Sequence, residues 1–577
     1  MEKQQKLTGY PSIDQPWLKN YSPEWINRPL SEDTIFESLL ANNRDYPNDI
    51  AIHYLKTNIT YGEMFAQIDQ CARAFIALGV QRNDIVTMAM PNTPEMVYTV
   101  YALNRLGAIP NIIHPLAGKE EICKYLNEVR SRFFLMFTGT YAIVKDALNQ
   151  TSVEKAIVAS PVESLSPIIK FLYRLKKGKE ALAKDERILS WKQFICDGQT
   201  LDLPAPQRAD EDAAAITHTG GTTGDPKGVV CSNKNYVSKW EQMKLRDCER
   251  QDCAMIHLPP FVNYSLSTLF TSFSMGFRTL LIPHYETNKI ADYIYYYKVN
   301  HILSIPACCE AILHISKIRK DAFQSLKLIA AGGESMDAVT IRDVNKILRE
   351  YGSTVDLVIG MGMTELTGGV AHTSSGENGQ GSIGVPFIKS NCKIVEIGTD
   401  IEKTYDEIGE ICFSGPTVMI GYYGDKKGTD EIIHVDGNGT RWVHSGDLGY
   451  ITRDGTICVI GRIKRLIMIK DKDGLISKIF PERIEHVIET HPAVALNCVV
   501  GVPDEQCIAW PKAFVVLNEN IEANQEVKTA ILAHCSQHLP PYMVPREIAF
   551  IDEMPRTDRG KIDFKQLEHL SMKFNKI

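Results

Sequence analysis

The 577-residue sequence lacks the features that identify several large classes of protein. It contains 14 cysteines but no pair with Cys-X-X-Cys spacing, which excludes the usual zinc-binding and thioredoxin-like motifs. It has no run of about 18 apolar residues, so it predicts no transmembrane helix. The first residues, MEKQQK, are polar and do not begin a signal peptide. Free thiols in a cytoplasmic protein are therefore expected.

An excess of positive charge is also absent. The 63 Lys and Arg residues and the 70 Asp and Glu residues give a net charge of -7, which argues against a nucleic-acid partner. The length predicts more than one domain, with a sizeable core. Residues 167–179, PIIKFLYRLKKGK, form one basic amphipathic segment. Such a segment is typical of a solvated helix packed on the body or, less often, of a helix in weak contact with an anionic membrane surface.

Apolar runs alternate with helical periodicity through most of the chain. Residues 84–90 read as a buried strand, and residues 95–106 show helical spacing that ends at a glycine. This alternation predicts an α/β fold with parallel-rich sheets. Residues 1–35 read as an irregular arm lying on the body. From about residue 380 the pattern changes to short β-like runs between Gly and Asp residues, which predicts a small β subdomain over 380–461.

The most distinctive segment is THTGGTTGDPKGVV at residues 217–230, directly after an apolar run. Glycines let backbone N–H groups approach a phosphate closely, while threonine hydroxyls and a lysine add donors and positive charge. The segment is not a Walker A loop, because Pro226 precedes the lysine and Gly228 follows it. A flexible surface loop is the alternative. The predicted phosphate-binding residues are Thr219, Gly220, Gly221, Thr222, Thr223, Gly224 and Lys227.

Eight motifs occur in a fixed order over about residues 50–570. They are TGGTTGDPKG at 219–228, AAGGESM at 330–336, GMTE at 362–365, GEICFSGPTVMIGYYG at 409–424, WVHSGDLGYITRDG at 442–455, GRIKR at 461–465, GVPD at 501–504 and PRTDRGKID at 555–563. With these motifs the sequence resembles the acyl-adenylating superfamily, which comprises acyl-CoA synthetases, firefly-type luciferases and nonribosomal adenylation domains. It is most similar to the medium- and long-chain fatty acid–CoA ligases of that superfamily.

The resemblance implies two domains and a two-step reaction. A large adenylation domain would cover residues 1–461, a hinge with Lys464 would cover 462–465, and a small mobile α+β domain would cover 466–577. A carboxylate would attack the α-phosphorus of ATP to give acyl-AMP and pyrophosphate, and the thiol of CoA would then displace AMP. Rotation at the hinge would let one site serve both steps and exclude water from the intermediate.

The resemblance also implies roles for single residues. Lys561 would contact both the carboxylate and the α-phosphate, a task that suits a mobile point charge. Thr364 would donate to the α-phosphate, and Glu365 would bind Mg²⁺, which prefers carboxylate oxygen. Asp447 would accept hydrogen bonds from the ribose hydroxyls, and Arg462 would contact ribose or phosphate. The remaining nucleotide contacts would come from Gly332, Gly333, Glu334, Met361, Gly362 and Met363.

Four features depart from the pattern of the superfamily. Arg559 replaces the usual Ser or Thr before Gly-Lys, and the spacing from Gly474 to Pro481, in a loop that helps bind CoA in many relatives, is longer than usual. Met361 stands where relatives commonly have an aromatic residue that stacks on adenine, and it offers a polarisable apolar face instead. Val262 stands where relatives usually have a histidine near the acid, so the local rules for placing the carboxylate do not transfer.

The implied small molecules are ATP, Mg²⁺, CoA and a small carboxylic acid, which we expect to be fatty or otherwise apolar. An enzyme that loads the phosphopantetheine thiol of a carrier protein is the main alternative. A luciferase-like oxygenase and a nucleotide-binding pseudoenzyme are further alternatives. The presence of Lys561, Glu365, Asp447 and Arg462 argues against the pseudoenzyme.

Overall fold

The computed structural model describes most of the chain. The described residues are 7–165, 170, 182, 185–198, 201–205, 210–219, 226–243, 248–334, 336, 338–373, 381–470, 476–504, 507–556 and 562–574. The basic segment 167–179 lies outside them apart from Lys170, as do residues 220–225 of the Gly/Thr loop and Lys561.

The strands follow one another along the chain with the following bounds. They are β1 Ile50–Tyr54, β2 Thr57–Thr60, β3 Ile85–Ala89, β4 Ile109–Ile112, β5 Phe133–Phe137, β6 Lys155–Ala159, β7 Ile188–Ser190, β8 Ala213–His218, β9 Gly228–Ser232, β10 Cys253–Ile256, β11 Arg278–Leu281, β12 His301–Ser304, β13 Leu328–Gly332, β14 Leu357–Met363, β15 Gly368–His372, β16 Ser382–Pro386, β17 Asn391–Val395, β18 Gly409–Ser414, β19 Gly421–Tyr422, β20 Ile433–Val435, β21 Arg441–Ile451, β22 Ile457–Arg462, β23 Ile467–Lys470, β24 Ile476–Ile479, β25 Val494–Asp504, β26 Ile508–Leu517 and β27 Glu547–Phe550.

Helices cover the sheets and connect their strands. The α-helices are Pro11–Asp14, Pro23–Asn27, Ile35–Asn43, Tyr61–Ala77, Pro94–Leu106, Lys119–Glu128, Thr138–Val144, Trp191–Asp197, Asn233–Met243, Asn263–Ser274, Ile290–Tyr297, Pro306–Glu310, Ala338–Glu350, Lys426–Ile432, Pro481–Glu489, Gln525–His538 and Phe564–Phe574. None of the helices in the described part of the chain combines the length and the apolar composition needed to cross a bilayer.

The largest sheet has 14 strands in the order β17-β18-β21-β22-β16-β15-β14-β13-β12-β10-β11-β1-β2, with β20 beside β21. The strands from β14 to β1 pair in parallel. Strands of this kind are usually buried on both faces, which agrees with their continuous apolar runs. Beyond β14 the pairing is antiparallel, and β16 pairs with β22. Apart from β19, the strands of the predicted β subdomain therefore continue this sheet.

A second sheet has eight strands in the order β19-β9-β8-β4-β3-β5-β6-β7. Its β8–β9 hairpin carries the Gly/Thr loop at its end, and β19 pairs with β9. A third sheet, β24-β23-β26-β25 with β27 against β26, is built entirely from residues after the hinge motif. The predicted fold class, a parallel-rich α/β body with a small α+β C-terminal part, is confirmed.

One buried core joins the first two sheets through the helices between them. The ring of Tyr101 meets the rings of Phe270 and Phe273 edge to face, with centroids 5.5 Å and 6.1 Å apart. The helix Pro94–Leu106 is buried along nearly its whole length and ends at Gly107, which has a φ of 70°. A left-handed backbone at a helix end favours glycine, so the stop predicted from sequence has a physical basis.

The N-terminal arm is more ordered than predicted, with short helical turns in place of irregular chain. Trp17 is fully buried, and the hydroxyl of Ser12 donates to Glu402 at 2.7 Å. The Tyr21 hydroxyl donates to the carbonyl oxygen of Pro386 at 2.8 Å. These contacts hold the arm against the antiparallel half of the first sheet.

Candidate active site

A cleft of about 2080 Å³ lies between the two large sheets and the C-terminal module. The carboxyl ends of β13 and β14 open into it, which is where ligands of α/β sheets bind. Every described residue of the predicted site lines this cleft. These residues are Thr219, Lys227, Gly332, Gly333, Glu334, Met361, Gly362, Met363, Thr364, Glu365, Asp447, Arg462 and Lys464.

The rest of the predicted site lies outside the described residues. It consists of Gly220, Gly221, Thr222, Thr223, Gly224 and Lys561. Arg556 and Ile562, which flank residues 557–561, pair across an isolated antiparallel bridge, and both line the cleft from the C-terminal side.

The strand that leads into Thr364 and Glu365 is longer than the sequence predicts. The apolar run at residues 355–360 predicts a strand that ends at Gly360, whereas β14 continues to Met363 and pairs with β15. A Cβ atom at Gly362 would lie 2.2 Å from the carbonyl oxygen of Gly368, so the close pairing of the two strands requires glycine there. The low β-propensity of glycine hides this extension in the sequence.

The turn Thr364–Leu366 follows β14 and presents a buried carboxylate. Asn263 Nδ2 donates to the carbonyl oxygen of Thr364 at 2.9 Å. The hydroxyl of Tyr422 donates to Glu365 Oε1 at 2.7 Å. Burial, and then the charge of Glu365, raises the pKa of Tyr422, so the hydroxyl stays protonated and keeps its role as donor. The carboxylate of Glu365 is thereby held in one orientation.

The base of the Gly/Thr loop is closed by two reciprocal hydrogen bonds. The Thr219 N–H donates to the Lys227 carbonyl oxygen at 2.9 Å, and the Lys227 N–H donates to Thr219 Oγ1 at 3.0 Å. The Lys227 ammonium lies 2.9 Å from Asp425 Oδ2 and 4.6 Å from the centroid of the Tyr422 ring. Lys227 therefore joins the loop to the same tyrosine that contacts Glu365.

Asp447 and Arg462 occupy directly opposite positions on β21 and β22. Asp447 is 5% exposed, and its Oδ1 lies 2.7 Å from Arg462 Nε. Arg462 Nη1 also donates to the carbonyl oxygen of Ser445 at 3.3 Å. Sequence reasoning placed both residues at the nucleotide without predicting that they contact each other. Cross-strand pairing of opposite charges explains the contact.

The predicted hinge residue, Lys464, lies in the turn Ile463–Arg465 between β22 and β23. The next residue, Arg465, is bound to Glu482 Oε1 at 3.1 Å and to Glu485, and it donates to the carbonyl oxygen of Val499 at 3.1 Å. Arg465 is thus attached to the C-terminal module, whereas Arg462 is attached to β21.

Three residues at this cleft were not singled out from the sequence. Tyr422 and Asp425 lie in or just after the GYYG motif, which was recognised only as a whole. Lys239 lies on the helix Asn233–Met243 and is buried. Its position on the same helical face as Tyr236 and Trp240 was a usable signal, because a lysine on an apolar face is unusual.

Two family models match the chain. The model of the AMP-binding enzyme matches residues 39–423, and the model of the AMP-binding enzyme C-terminal domain matches residues 483–561. The first covers more than half of the chain.

Individual proteins match over almost the whole length. A probable 4-coumarate–CoA ligase of Dictyostelium discoideum is 28% identical over 96% of this chain and 98% of its own length. A long-chain-fatty-acid–CoA ligase of Salmonella typhimurium is 26% identical over 96% and 97%. The crystal structure of the anthranilate–CoA ligase AuaEII with anthranoyl-AMP has the same fold, with a TM-score of 0.79 and 22% identity over 96% of this chain and 100% of that one. The superfamily predicted from the eight motifs is confirmed, and the chain belongs to the AMP-binding enzyme family.

Proposed function

We propose that this protein activates a carboxylic acid with ATP and transfers the acyl group to CoA. The observation that carries this proposal is the convergence of separate parts on one cleft. The closed base of the Gly/Thr loop, the Thr364–Glu365 turn and the Asp447–Arg462 pair line it from the two large sheets. Arg556 and Ile562, on either side of Lys561, line it from the C-terminal module.

In the first step, a carboxylate oxygen of the acid forms a bond to the α-phosphorus of ATP. The bond from that phosphorus to the bridging oxygen breaks, and pyrophosphate leaves with the electron pair. Both reactants are anions, so the step needs cations and donors directed at the charge that develops. Lys561 and Thr364 supply them at the α-phosphate, and residues 219–227 hold the phosphates that leave.

The structure supports a magnesium site at Glu365. Its carboxylate is buried, Tyr422 donates to one oxygen, and no donor among the described residues contacts the other. Mg²⁺ usually takes one or two carboxylates together with substrate phosphates and water, which fits a single glutamate. The ion would neutralise phosphate charge there.

In the second step, the thiolate of CoA attacks the acyl carbonyl carbon, and the bond from that carbon to the AMP oxygen breaks. The contacts around residues 462–465 support a hinge at Lys464 for the change between steps. Arg462 is attached to β21 and Arg465 to the helix Pro481–Glu489, so the chain between them separates two sets of contacts. A hydrogen bond from the Arg462 N–H to Glu482 Oε1, at 3.3 Å, crosses this boundary and would break on rotation.

The names of the two relatives favour CoA as the acceptor over a carrier protein. They name two different acids, a coumarate and a long-chain fatty acid, so the expected apolar acid stays a prediction. The cytoplasmic location and the membrane contact of residues 167–179 also stay predictions.

A pyrophosphate-release assay with a panel of carboxylic acids tests the proposal, with CoA or a phosphopantetheinylated carrier protein as acceptor. We expect ATP-dependent release with at least one acid and formation of its CoA thioester. Turnover with the carrier protein but not with CoA would make the chain a loading enzyme. No release with any acid would favour the nucleotide-binding pseudoenzyme, and light emission or oxygen uptake would favour the oxygenase.

A further inference from the structure

The side wall of the cleft contains a buried lysine that the two-step reaction does not use. Lys239 lies on the helix Asn233–Met243, is 5% exposed and lines the cleft. Its helical neighbours Tyr236 and Trp240 are also buried. An ammonium group on such a face has lost most of its hydration, which is costly unless another charge or several hydrogen bonds replace it.

The contacts of Lys239 replace that hydration only in part. Its ammonium donates to the carbonyl oxygen of Gly369 and lies 3.5 Å from Gln242 Oε1. The ring of Phe387 lies 5.4 Å away, at its centroid. No carboxylate among the described residues forms an ion pair with Lys239. Burial accordingly lowers its pKa to about 7.

The wall beside Lys239 is polar rather than uniformly apolar. The helix Asn263–Ser274 packs against the helix of Lys239 and turns four buried hydroxyl-bearing side chains toward the cleft. These are Ser267, Thr268, Thr271 and Ser272. Ser267, Thr268 and Ser272 donate to backbone carbonyl oxygens of their own helix. The Lys239 ammonium is therefore the group that a hydrocarbon chain in the cleft would desolvate at a cost.

The position of Lys239 relative to the reacting centre follows from the strand register. Gly369, which accepts its hydrogen bond, lies opposite Gly362 on β14, two residues before Thr364. A strand rises about 3.3 Å per residue, and neighbouring strands lie about 4.8 Å apart. Two residues along β14 and one strand across therefore put the Cα atom of Gly369 roughly 8 Å from that of Thr364. An anion at Lys239 would therefore be separated from the activated carboxyl group by only a short spacer.

We propose that Lys239 binds a second carboxylate of the substrate, so that the activated acid is a short dicarboxylic acid. The free carboxylate forms the ion pair that no carboxylate among the described residues provides. This inference rests on the proposed acid activation and replaces the expected apolar acid with an anionic one.

The test compares straight-chain monocarboxylic and α,ω-dicarboxylic acids of equal carbon number in the pyrophosphate-release assay, with the full-length protein. We expect a higher kcat/KM for the diacid in one short member of the series. Lys239→Met, which keeps the length of the side chain but not its charge, should lower kcat/KM for the diacid about 100-fold more than for the matched monoacid. Lys239→Arg should retain part of the preference.

Lys234→Met is the matched control. Lys234 lies on the same helix, but its ammonium contacts Glu211 at 2.6 Å and it does not line the cleft. This variant should keep the wild-type ratio of kcat/KM between diacid and monoacid. Any change in that ratio would reveal a general effect of losing a lysine from the helix.

The outcomes separate this inference from the proposed function. If the wild-type protein releases pyrophosphate with no acid, the proposed function fails. The wild-type protein could instead turn over monoacids in preference to diacids, with the ratio of the two kcat/KM values unchanged in Lys239→Met. In that case the proposed function stands and the inference about Lys239 is overturned. Equal losses for both acids in Lys239→Met would show a structural role and would also overturn it.

Discussion

Two lysines that line the cleft show how its predicted nucleotide side, with Lys227, differs from its proposed acid side, with Lys239. Lys227 belongs to a motif shared with the superfamily and is paired with Asp425 at the surface, 2.9 Å away. Lys239 belongs to no motif, is buried, and pairs with no carboxylate of the described chain. Shared motifs therefore predict the nucleotide side, whereas the proposed acid side has to be inferred from burial and charge.

The largest effect should come from Lys561, the residue of the nucleotide side for which the sequence makes the strongest prediction. Lys561→Ala should lower the rate of adenylation about 1000-fold, because it would remove the cation that we propose contacts both anions in the transition state. Single-turnover kinetics should show thioester formation from supplied acyl-AMP largely unaffected. Equal losses in the two half-reactions would contradict the assigned role.

A smaller effect on the same side should come from Tyr422. Tyr422→Phe removes the hydroxyl that donates to Glu365 and leaves a buried carboxylate oxygen without that donor. We expect the KM for magnesium-bound ATP to rise about 10-fold, which corresponds to a loss of roughly 1.4 kcal/mol in binding free energy. Tyr423→Phe is the matched control, because that adjacent tyrosine contacts the loop base through its backbone N–H. Equal KM values in the two variants would show that the Tyr422 hydroxyl does not position Glu365.

The acid side can be tested without a substrate through the pH dependence of stability. The pKa of Lys239 is about 7 in the folded protein, below its ordinary value of 10.5, because the ammonium is buried. Between these values the unfolded chain binds one more proton than the folded chain, so this lysine makes stability rise with pH, by at most about 1.4 kcal/mol per unit. Below pH 7 the cost of burying the charge is constant.

The measurement is the difference in unfolding free energy between wild type and Lys239→Met at pH 7 and pH 9. We expect the unfolding free energy of the wild type to rise, relative to that of Lys239→Met, as the pH rises. Cys231 is the titratable neighbour whose charge acts on this ammonium, and burial raises the pKa of its thiol, which keeps it neutral in this range. A difference that does not change with pH would mean that the lysine is not desolvated in the folded state.

The sequence predicted elements whose signals are local. The helix ends at Gly79 and Gly107 follow from single glycines with positive φ, and the α/β alternation follows from hydrophobic periodicity. The pairing of β16 with β22 could not be predicted, because it joins segments far apart in sequence. The same reason hid the contact of Tyr422 with Glu365, whereas the motif that contains Tyr422 was visible.

The site shows the same division. Motifs identified the described nucleotide-side residues that line the cleft, although their individual roles stay predictions. They did not identify Lys239. Motifs shared by a family reflect the substrate that its members have in common, whereas the acid differs between members. Helical spacing with Tyr236 and Trp240 was the one local sign of its burial. Only the folded arrangement shows that the buried ammonium faces Gly369 and Phe387 and that no carboxylate of the described residues pairs with it.

The smallest effect should come from Asp425, the partner that makes Lys227 unlike Lys239. Asp425→Asn removes the charge beside Lys227, but it leaves an oxygen that still caps the helix Lys426–Ile432 through Gly428. Because both side chains are about 40% exposed and screened by solvent, the loss of stability should be small.

The KM for ATP should change by about threefold or less, since the loop base is also closed by the two hydrogen bonds between Thr219 and Lys227. Denaturant unfolding and ATP titration of the variant check both expectations. A loss as large as that of Tyr422→Phe would show that the ion pair, rather than the hairpin, holds the phosphate loop. Phosphate binding would then depend on the ion pair of Lys227 with Asp425, whereas the proposed acid binding depends on Lys239 having no carboxylate partner among the described residues.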